Sequence, residues 1–282
     1  MWLPSFHVHL DVLTLVVVLE GGYVLALRRW GPSAVQPGER PASRGQITAF
    51  SFGVLTILLA ASWPMHDLAE HDLLSVHMVQ HLLLSLVAPP LLIAGTPPWL
   101  LRRVLAPRPF AWAMRHLARP VVAFVLFNGV VVFTHWSGAM EVILTHHWVH
   151  FLAHAALFLT ASLMWWQVMS PLPEYPALSY PARILYLFLQ SLLPTVPASF
   201  LTFGHSPLYA FYAEAPRVWG MSALTDQLVA GLLMKIVAGA ILWVFIAIFF
   251  FRWWHQEQDA NGWDALEYHD VERDLRKELT RR

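Results

Sequence analysis

The feature that most constrains the fold of this chain is a succession of long apolar segments. A helix needs about 20 mostly apolar residues to cross a bilayer. The sequence contains seven such segments, at residues 10–28, 46–64, 72–94, 119–136, 146–168, 182–203 and 225–252. Only 13% of the residues are charged, whereas a soluble domain carries about 25%. We therefore predict an all-α membrane protein with seven transmembrane helices over residues 1–252, followed by a charged cytoplasmic tail over residues 253–282.

The basic residues are distributed unequally between the two sides that these segments define. Sixteen of the 18 Lys and Arg residues lie in or beside the first, third and fifth connections or in the tail. The opposite side has Arg217, and Lys235 lies inside the last segment. Because Lys and Arg accumulate on the cytoplasmic side of a bilayer, we predict an external amino terminus and a cytoplasmic carboxyl terminus.

Fifteen histidines are unusual in so apolar a chain, and their positions are uneven. Twelve of them fall in the outer connections or in the outer halves of the segments. The chain has no cysteine, which excludes disulfides and thiolate metal sites. The available ligands are therefore histidine, methionine and carboxylate side chains, and their distribution predicts a site on the outer side.

Two pairs of histidines share the spacing that places side chains on one helix face. His77 and His81 form one pair, and His150 and His154 form the other. Residues four apart on a helix have Cβ atoms roughly 6 Å apart. Both helices run inward from the outer side, so each pair occupies depths of roughly 6 and 12 Å. If the two helices are neighbours, four imidazoles can converge on one point.

The chemistry of these side chains favours a transition metal. Imidazole suits copper, zinc, iron and nickel, and thioether sulfur adds a preference for Cu(I). Four methionines fall near the same side, namely Met65, Met78, Met140 and Met221. The alternative is that these histidines are buried and hydrogen-bonded to carbonyl groups, and that the methionines are core residues.

Further polar residues surround the pairs and extend the candidate site. The additional candidate ligands are His66, His71 and His147. Carboxylates commonly orient metal-bound histidines, and the candidates for this role are Asp67, Asp72 and Asp226. Asp72 also suits the amino-terminal cap of the third helix. Lys235 is a further supporting residue, and a buried pair with Glu20 is one way of holding both charges.

Three strings carry a family resemblance when they are taken together: HDLLSVHMVQHLLLSLVAPPLLIAGTP, HHWVHFLAHAALFLTASLMWW and WGMSALTDQLVAGLLMK. They resemble the CtaG family of cytochrome c oxidase assembly factors, of the polytopic membrane type, over roughly residues 50–245. The positions that match the family's motifs are His77, His81, Pro89, Pro90, His147, His150, His154, Trp219, Asp226 and Gln227.

The resemblance implies a seven-helix protein of the bacterial cytoplasmic (inner) membrane that matures a copper-containing oxidase. It implies a binding protein without catalytic turnover, with copper at the histidines and the site facing the periplasm or cell exterior. The expected partners are cytochrome c oxidase subunits, a periplasmic copper chaperone and the lipid bilayer, and not a nucleic acid.

Other functions fit parts of the pattern. Two i,i+4 histidine pairs could ligate haem b axially in a membrane electron-transfer protein. A copper transporter would also use such ligands, although the inner halves of the third and fifth helices offer few polar or sulfur positions. A retinal-type protein would use Lys235, but its Schiff base needs a carboxylate beside it. The third helix offers His and Gln there.

Overall fold

The computed structural model describes residues 4–280, without the side chains of residues 260–269 and 274. Within that range all regular secondary structure is helical. In chain order the helices are α1 (Leu10–Arg29), α2 (Gly31–Ala34), α3 (Arg44–Ala61), α4 (Met65–His71), α5 (Leu74–Gly95), α6 (Pro98–Leu105), α7 (Arg108–Leu117), α8 (Pro120–Thr134), α9 (Ser137–Thr145), α10 (His147–Met169), α11 (Tyr180–Leu192), α12 (Thr195–Phe203), α13 (Ala210–Glu214) and α14 (residues 223–280). Val218–Gly220 adds a 3-10 turn, and π-helical turns interrupt α5 at Leu83–Val87 and α14 at Leu233–Val237.

Among the described residues, six helical segments are long and apolar enough to cross a membrane. They are α1, α3, α5, α10, the α11–α12 segment and the part of α14 that ends at Asp259. A seventh exists only if α7 and α8, which meet at a bend of 90°, are counted as one span. The 15 residues of α8 are about 22 Å long, which is short of the roughly 30 Å of hydrocarbon. The structure therefore has six or seven candidate spans where the sequence predicts seven.

Local sequence explains where several of these helices begin and break. Ser43 and Gln46 form a reciprocal capping box at the start of α3, which satisfies two amide groups that would otherwise lack partners. The sixth predicted segment is interrupted, since α11 ends at Leu192 and α12 begins at Thr195. Pro194 lies at this break. The helix is interrupted there because proline removes a helical hydrogen bond and clashes with the preceding turn.

Helix α5 lies at the centre of the bundle and is its most enclosed span. It packs against α3, α10 and α14. The Trp165 indole of α10 donates a hydrogen bond to the Ser85 carbonyl in the π-helical turn of α5, at 2.9 Å. At the other end of α5, Gly95 lies so close to α3 that a Cβ atom there would be 2.3 Å from the Phe50 amide nitrogen. The helix that carries His77 and His81 is thus held on several sides.

Contacts between connections define two opposite ends of the bundle. At one end, which we call the basic end, Arg102 forms an ion pair with Glu174 at 2.7 Å and Arg103 lies over the Trp30 ring at 4.2 Å. At the other, which we call the histidine end, the Tyr209 hydroxyl donates to the carbonyl of His135, at 2.8 Å. Helix α8 runs from the basic end to the histidine end, so it joins the two ends in spite of its short length.

The predicted charged tail continues the last helix. Helix α14 passes its π-helical turn and extends without a break as Ala238–Thr280. Arg281 and Arg282, the last two residues of the predicted tail, lie outside the described residues. The division into residues 1–252 and 253–282 therefore follows hydrophobicity and charge, and the backbone is one continuous helix across residue 252.

Candidate metal centre

Three imidazoles from two helices meet at the histidine end. His77 and His81 come from α5 and His154 comes from α10, and one ligand atom from each lies within 4.8 Å of the others. The ring centroids are 4.3 Å apart for His77 and His81, 5.7 Å for His77 and His154, and 5.1 Å for His81 and His154. The packing of α10 along α5 thus brings both predicted pairs to one place.

Three ring nitrogens of His77 and His81 are unusual in lacking protein partners. Among the described residues, none offers a hydrogen bond to Nδ1 or Nε2 of His77 or to Nδ1 of His81. His77 is only 1% exposed. A buried polar atom without a partner costs about 1–3 kcal/mol, so such atoms call for a functional explanation. In each neutral ring, the nitrogen without a proton could donate its lone pair to a metal ion.

His150 completes the group and has a defined orientation. Its Nδ1 lies 2.9 Å from the Glu70 carboxylate and its Nε2 lies 3.1 Å from Nε2 of His154. A carboxylate only accepts hydrogen bonds, so Nδ1 of His150 donates. In the neutral ring Nε2 then has a free lone pair and accepts the proton of His154. This leaves Nδ1 of His154 with its own lone pair.

Glu70 links two histidines through its two oxygens. Its second oxygen lies 3.1 Å from Nε2 of His66. Burial raises the pKa of the Glu70 carboxyl, but the hydrogen bonds from His150 and His66 outweigh burial and lower the pKa well below its usual range. Glu70 is therefore a carboxylate beside the cluster. Its negative charge favours a cation there.

His66 lies in the layer around the cluster. Its Nδ1 accepts a hydrogen bond from Nε2 of Gln80 at 3.1 Å, and the same amide group donates to the carbonyl of Ala60 at 2.9 Å. Both nitrogens of His66 are thus used by Gln80 and Glu70. This arrangement assigns His66 to holding Glu70, and not to the three-imidazole group.

Asp67 organises the amino-terminal segment above the cluster. It contacts Nε2 of His9 at 3.1 Å and Nδ1 of His7 at 3.4 Å. The His9 ring in turn lies 4.8 Å from the His66 ring, which lies 5.9 Å from the His150 ring. Asp67 therefore orients histidines, as the sequence predicts for carboxylates, but His7 and His9 are not members of the three-imidazole cluster.

His71 and His147 are not brought to the cluster. Both side chains are exposed. Nδ1 of His71 bonds the Asp67 carbonyl at 3.1 Å, and the ring of His147 lies 6.0 Å from that of Trp148. His147 is only three residues from His150 in the sequence, which made it a candidate ligand. In the structure it is the first residue of α10, and its side chain is exposed.

The carboxylates of Asp226 and Asp72 also have positions that the sequence left open. Asp226 accepts hydrogen bonds from the backbone amides of Leu74 and Ser75, at 2.7 and 3.0 Å. It therefore caps α5 from the neighbouring α14 and acts on the backbone instead of on an imidazole. Asp72 is not at the cap position of α5. That position is occupied by Leu73, whose side chain makes no capping bond within the described structure. Burial raises the pKa of Asp72.

Lys235 and Glu20 lie in different environments. The Lys235 side chain is exposed on the bundle surface, with Nζ 5.8 Å from the Phe203 ring centroid. Glu20 accepts a hydrogen bond from Ser51 at 2.7 Å. An exposed lysine within a span reaches towards the interface by its long stem. Lys235 is thus placed away from the bundle interior, where a retinal-type Schiff base would lie.

Sequence reasoning missed two side chains that the structure makes prominent. Glu70 belongs to the polar string PMHDLAEHD ahead of the third segment, but its contact with His150 is not predicted by the sequence. His135 has no partner four residues away, yet its ring lies 5.6 Å from that of His81. The excess of carboxylates in that string was a usable signal for Glu70, whereas only tertiary contacts reveal His135.

Fold and site together define a class: a polytopic helical membrane protein with a buried, carboxylate-supported cluster of imidazoles at one end of its bundle. The chain belongs to the cytochrome c oxidase caa3 assembly factor family (Caa3_CtaG), whose model matches residues 21–256. The match confirms the resemblance given by the motifs and extends it to the second part of α1, from residue 21 onward.

The chain is also similar to longer mycobacterial proteins. Uncharacterized proteins of Mycobacterium leprae and Mycobacterium bovis are 25% identical over 233 residues and 26% identical over 236 residues, respectively. Each alignment covers 76% of this chain and 34% of the relative, so the chain spans about a third of the length of these curated relatives. No solved structure matches the chain.

Proposed function

We propose that this protein binds copper at His77, His81 and His154 and assists its delivery to cytochrome c oxidase during assembly. Membership of the assembly factor family supplies the process. The observation that carries the copper proposal is the set of three imidazoles, with His77 the most deeply buried, whose ligand atoms lie within 4.8 Å of one another. Imidazole nitrogen is a lone-pair donor of a type that copper accepts well. His150 is a fourth donor once its bond to His154 is released.

The proposal includes an orientation in the bacterial cytoplasmic membrane. The basic end faces the cytoplasm, as the charge rule requires, and the histidine end faces the periplasm or cell exterior. With α8 counted as a short seventh span, the amino terminus is external and the carboxyl terminus cytoplasmic. Copper then reaches the cluster from outside, on the side of His9 and His66.

The protein acts in this proposal as a binding partner without turnover. Its partners are oxidase subunits, with a periplasmic copper chaperone as the donor. The cluster is closed towards the basic end by a layer of buried apolar side chains that includes Leu86, Leu157 and Trp165. This closure favours binding and release on one side over transport through the bundle. Haem fits poorly, because the rings that would ligate it from the two helices lie close together. The ring centroids are 5.6 Å apart for His77 and His150 and 5.1 Å for His81 and His154, which leaves little room for a macrocycle between them.

The test is copper content measured on two proteins at once. Replacing His77 or His154 with Ala removes a ligand, and loss of even a supporting partner typically costs about 10–100-fold in metal affinity. We expect copper binding by the purified variants and copper in the oxidase to fall together, with membrane abundance near wild type. His116→Ala, an exposed histidine in α7, is the control. Oxidase copper at the normal level in both cluster variants would contradict the proposal, and a stoichiometric Soret band would favour haem.

A further inference from the structure

We propose that a second, sulfur-containing copper(I) site lies beside the three-histidine cluster, formed by His135 and Met78. It rests on the proposed function only in taking copper as the ion. Nε2 of His135 lies 3.4 Å from Sδ of Met78. His135 is 6% exposed and Met78 is fully buried. His135 follows the last residue of α8 and Met78 lies on α5, so the contact joins two helices at the histidine end.

The hydrogen bonds of His135 leave the nitrogen that faces sulfur without a proton. Nδ1 lies 2.7 Å from the Val131 carbonyl, and a carbonyl only accepts, so Nδ1 carries the proton of the neutral ring. Nε2 therefore presents a lone pair to a thioether, which is itself only a weak acceptor. Two lone pairs that face each other are not a stabilising contact. A soft monovalent cation between them would satisfy both.

A cavity provides the space that such an ion needs. It has a volume of about 50 Å³ and is lined by His135, Met78, His81 and Met234 among others. At the distances found for zinc, roughly 2.0 Å to nitrogen and 2.3 Å to sulfur, the observed separation of 3.4 Å corresponds to a near-tetrahedral angle at the ion. The unbranched methionine side chain adapts readily, and the cavity leaves room for small adjustments. Thioether and imidazole together favour Cu(I) among the common ions.

The position of this site relates it to the cluster. The His81 ring is 5.6 Å from the His135 ring and 5.1 Å from the His154 ring. His81 thus belongs to the three-histidine cluster and also lines the cavity beside His135 and Met78. The two ligand groups are therefore direct neighbours.

The experiment loads the full-length purified protein with Cu(I) under anaerobic conditions and records copper stoichiometry and X-ray absorption. We expect a sulfur scatterer in the wild type at a copper–sulfur distance near 2.3 Å. Met78→Leu keeps the side-chain volume and should remove both the sulfur signal and one copper equivalent. Met140→Leu is the matched control, because Met140 is a buried methionine of the same apolar cluster, and it should change neither.

A second variant separates this proposal from the proposed function. His77→Ala should lower the stoichiometry while the sulfur signal remains. If His77→Ala leaves copper binding and oxidase copper unchanged but Met78→Leu removes the sulfur signal, the function fails and the sulfur site stands. A fully loaded wild type without any sulfur scatterer overturns the site directly, as does a Met78→Leu protein that matches Met140→Leu in stoichiometry and spectrum. In either case the contact is ordinary packing of the imidazole against the thioether.

Discussion

At the scale of single residues, the histidines of the site differ in whether their ring nitrogens have hydrogen-bond partners. His77 is buried without protein partners for its ring nitrogens within the described residues, whereas His66 has both nitrogens used. The sequence does not distinguish His77 from His66, since both are candidate ligands by their positions. The hydrogen-bond partners of their ring nitrogens distinguish them, and Glu70 is the most important of these partners.

Glu70→Gln tests the role of this carboxylate. The substitution keeps the side-chain size but removes the negative charge and one acceptor, so His150 loses its fixed tautomer. We expect copper affinity to fall about 10–100-fold, as for other partners of metal-bound histidines. The measurement is a competition titration of the purified protein. Glu141→Gln, at an exposed position of α9, should bind copper like the wild type. Equal affinities for the two variants would show that Glu70 has only a structural role.

At the scale of elements, the position of α5 is set by its neighbours at both ends. Asp226 of α14 accepts from the first amides of α5, and an acceptor there satisfies donors that no helix can satisfy internally. At the other end, Gly95 allows the close approach of α3. The tilt and the axial position of the helix that carries His77 and His81 are therefore fixed by contacts at its two ends.

Asp226→Ala should destabilise the bundle more than it alters metal chemistry. It leaves two buried amides without an acceptor, at about 1–3 kcal/mol for each. We expect a lower melting temperature of the detergent-purified protein, while the copper affinity of the folded fraction changes less than in His77→Ala. Asp226→Asn retains one acceptor oxygen and should be intermediate in stability. If Asp226→Ala abolishes copper binding at unchanged stability, Asp226 acts on the metal site itself.

Gly95→Ala should also destabilise the protein, through overpacking. The new Cβ atom would meet the backbone of Phe50 at 2.3–2.6 Å, so α3 must move, and such strain costs about 1–3 kcal/mol. Gly129→Ala in α8 is the matched control, because nothing lies within 4 Å of its Cβ position. Alanine is the better helix former there. Thermal unfolding of the two variants should shift in opposite directions, and equal shifts would contradict the tight α3–α5 crossing.

At the scale of the whole molecule, the two ends of the bundle differ in chemistry. One end carries the arginine contacts of Arg102 and Arg103, and the other carries the imidazole cluster and its carboxylates. This difference in charge between the two ends predicts the orientation of the protein in a membrane, because positive residues are retained in the cytoplasm. The proposed direction of copper supply depends on that orientation.

Reporter fusions test the orientation. Fusions after Arg44, Arg108 and the carboxyl terminus should be active with a cytoplasmic reporter, and fusions near Glu70 and Ala213 with an external one. The pair at Arg108 and Ala213 also decides whether α8 crosses the membrane, since they lie on opposite sides only if it does. A carboxyl terminus outside the cell would reverse the placement of the histidines and contradict the proposed copper route.

The sequence by itself determined the class of fold, most of the span positions, the two histidine pairs and the family. Hydrophobic length and i,i+4 spacing are properties of one helix, so they can be read without knowing its neighbours. The short α8 limited this reading, because length alone does not show how a 15-residue helix crosses a bilayer.

Only the tertiary structure decided which polar groups meet. Glu70 and His150 are 80 residues apart in the chain, and Asp226 and Leu74 are 152 apart. Their contacts depend on which helices pack together and on the rotation of each helix about its axis, and neither is encoded in local periodicity. For the same reason His71 and His147 fell outside the cluster, while His135 and Met78 came into contact.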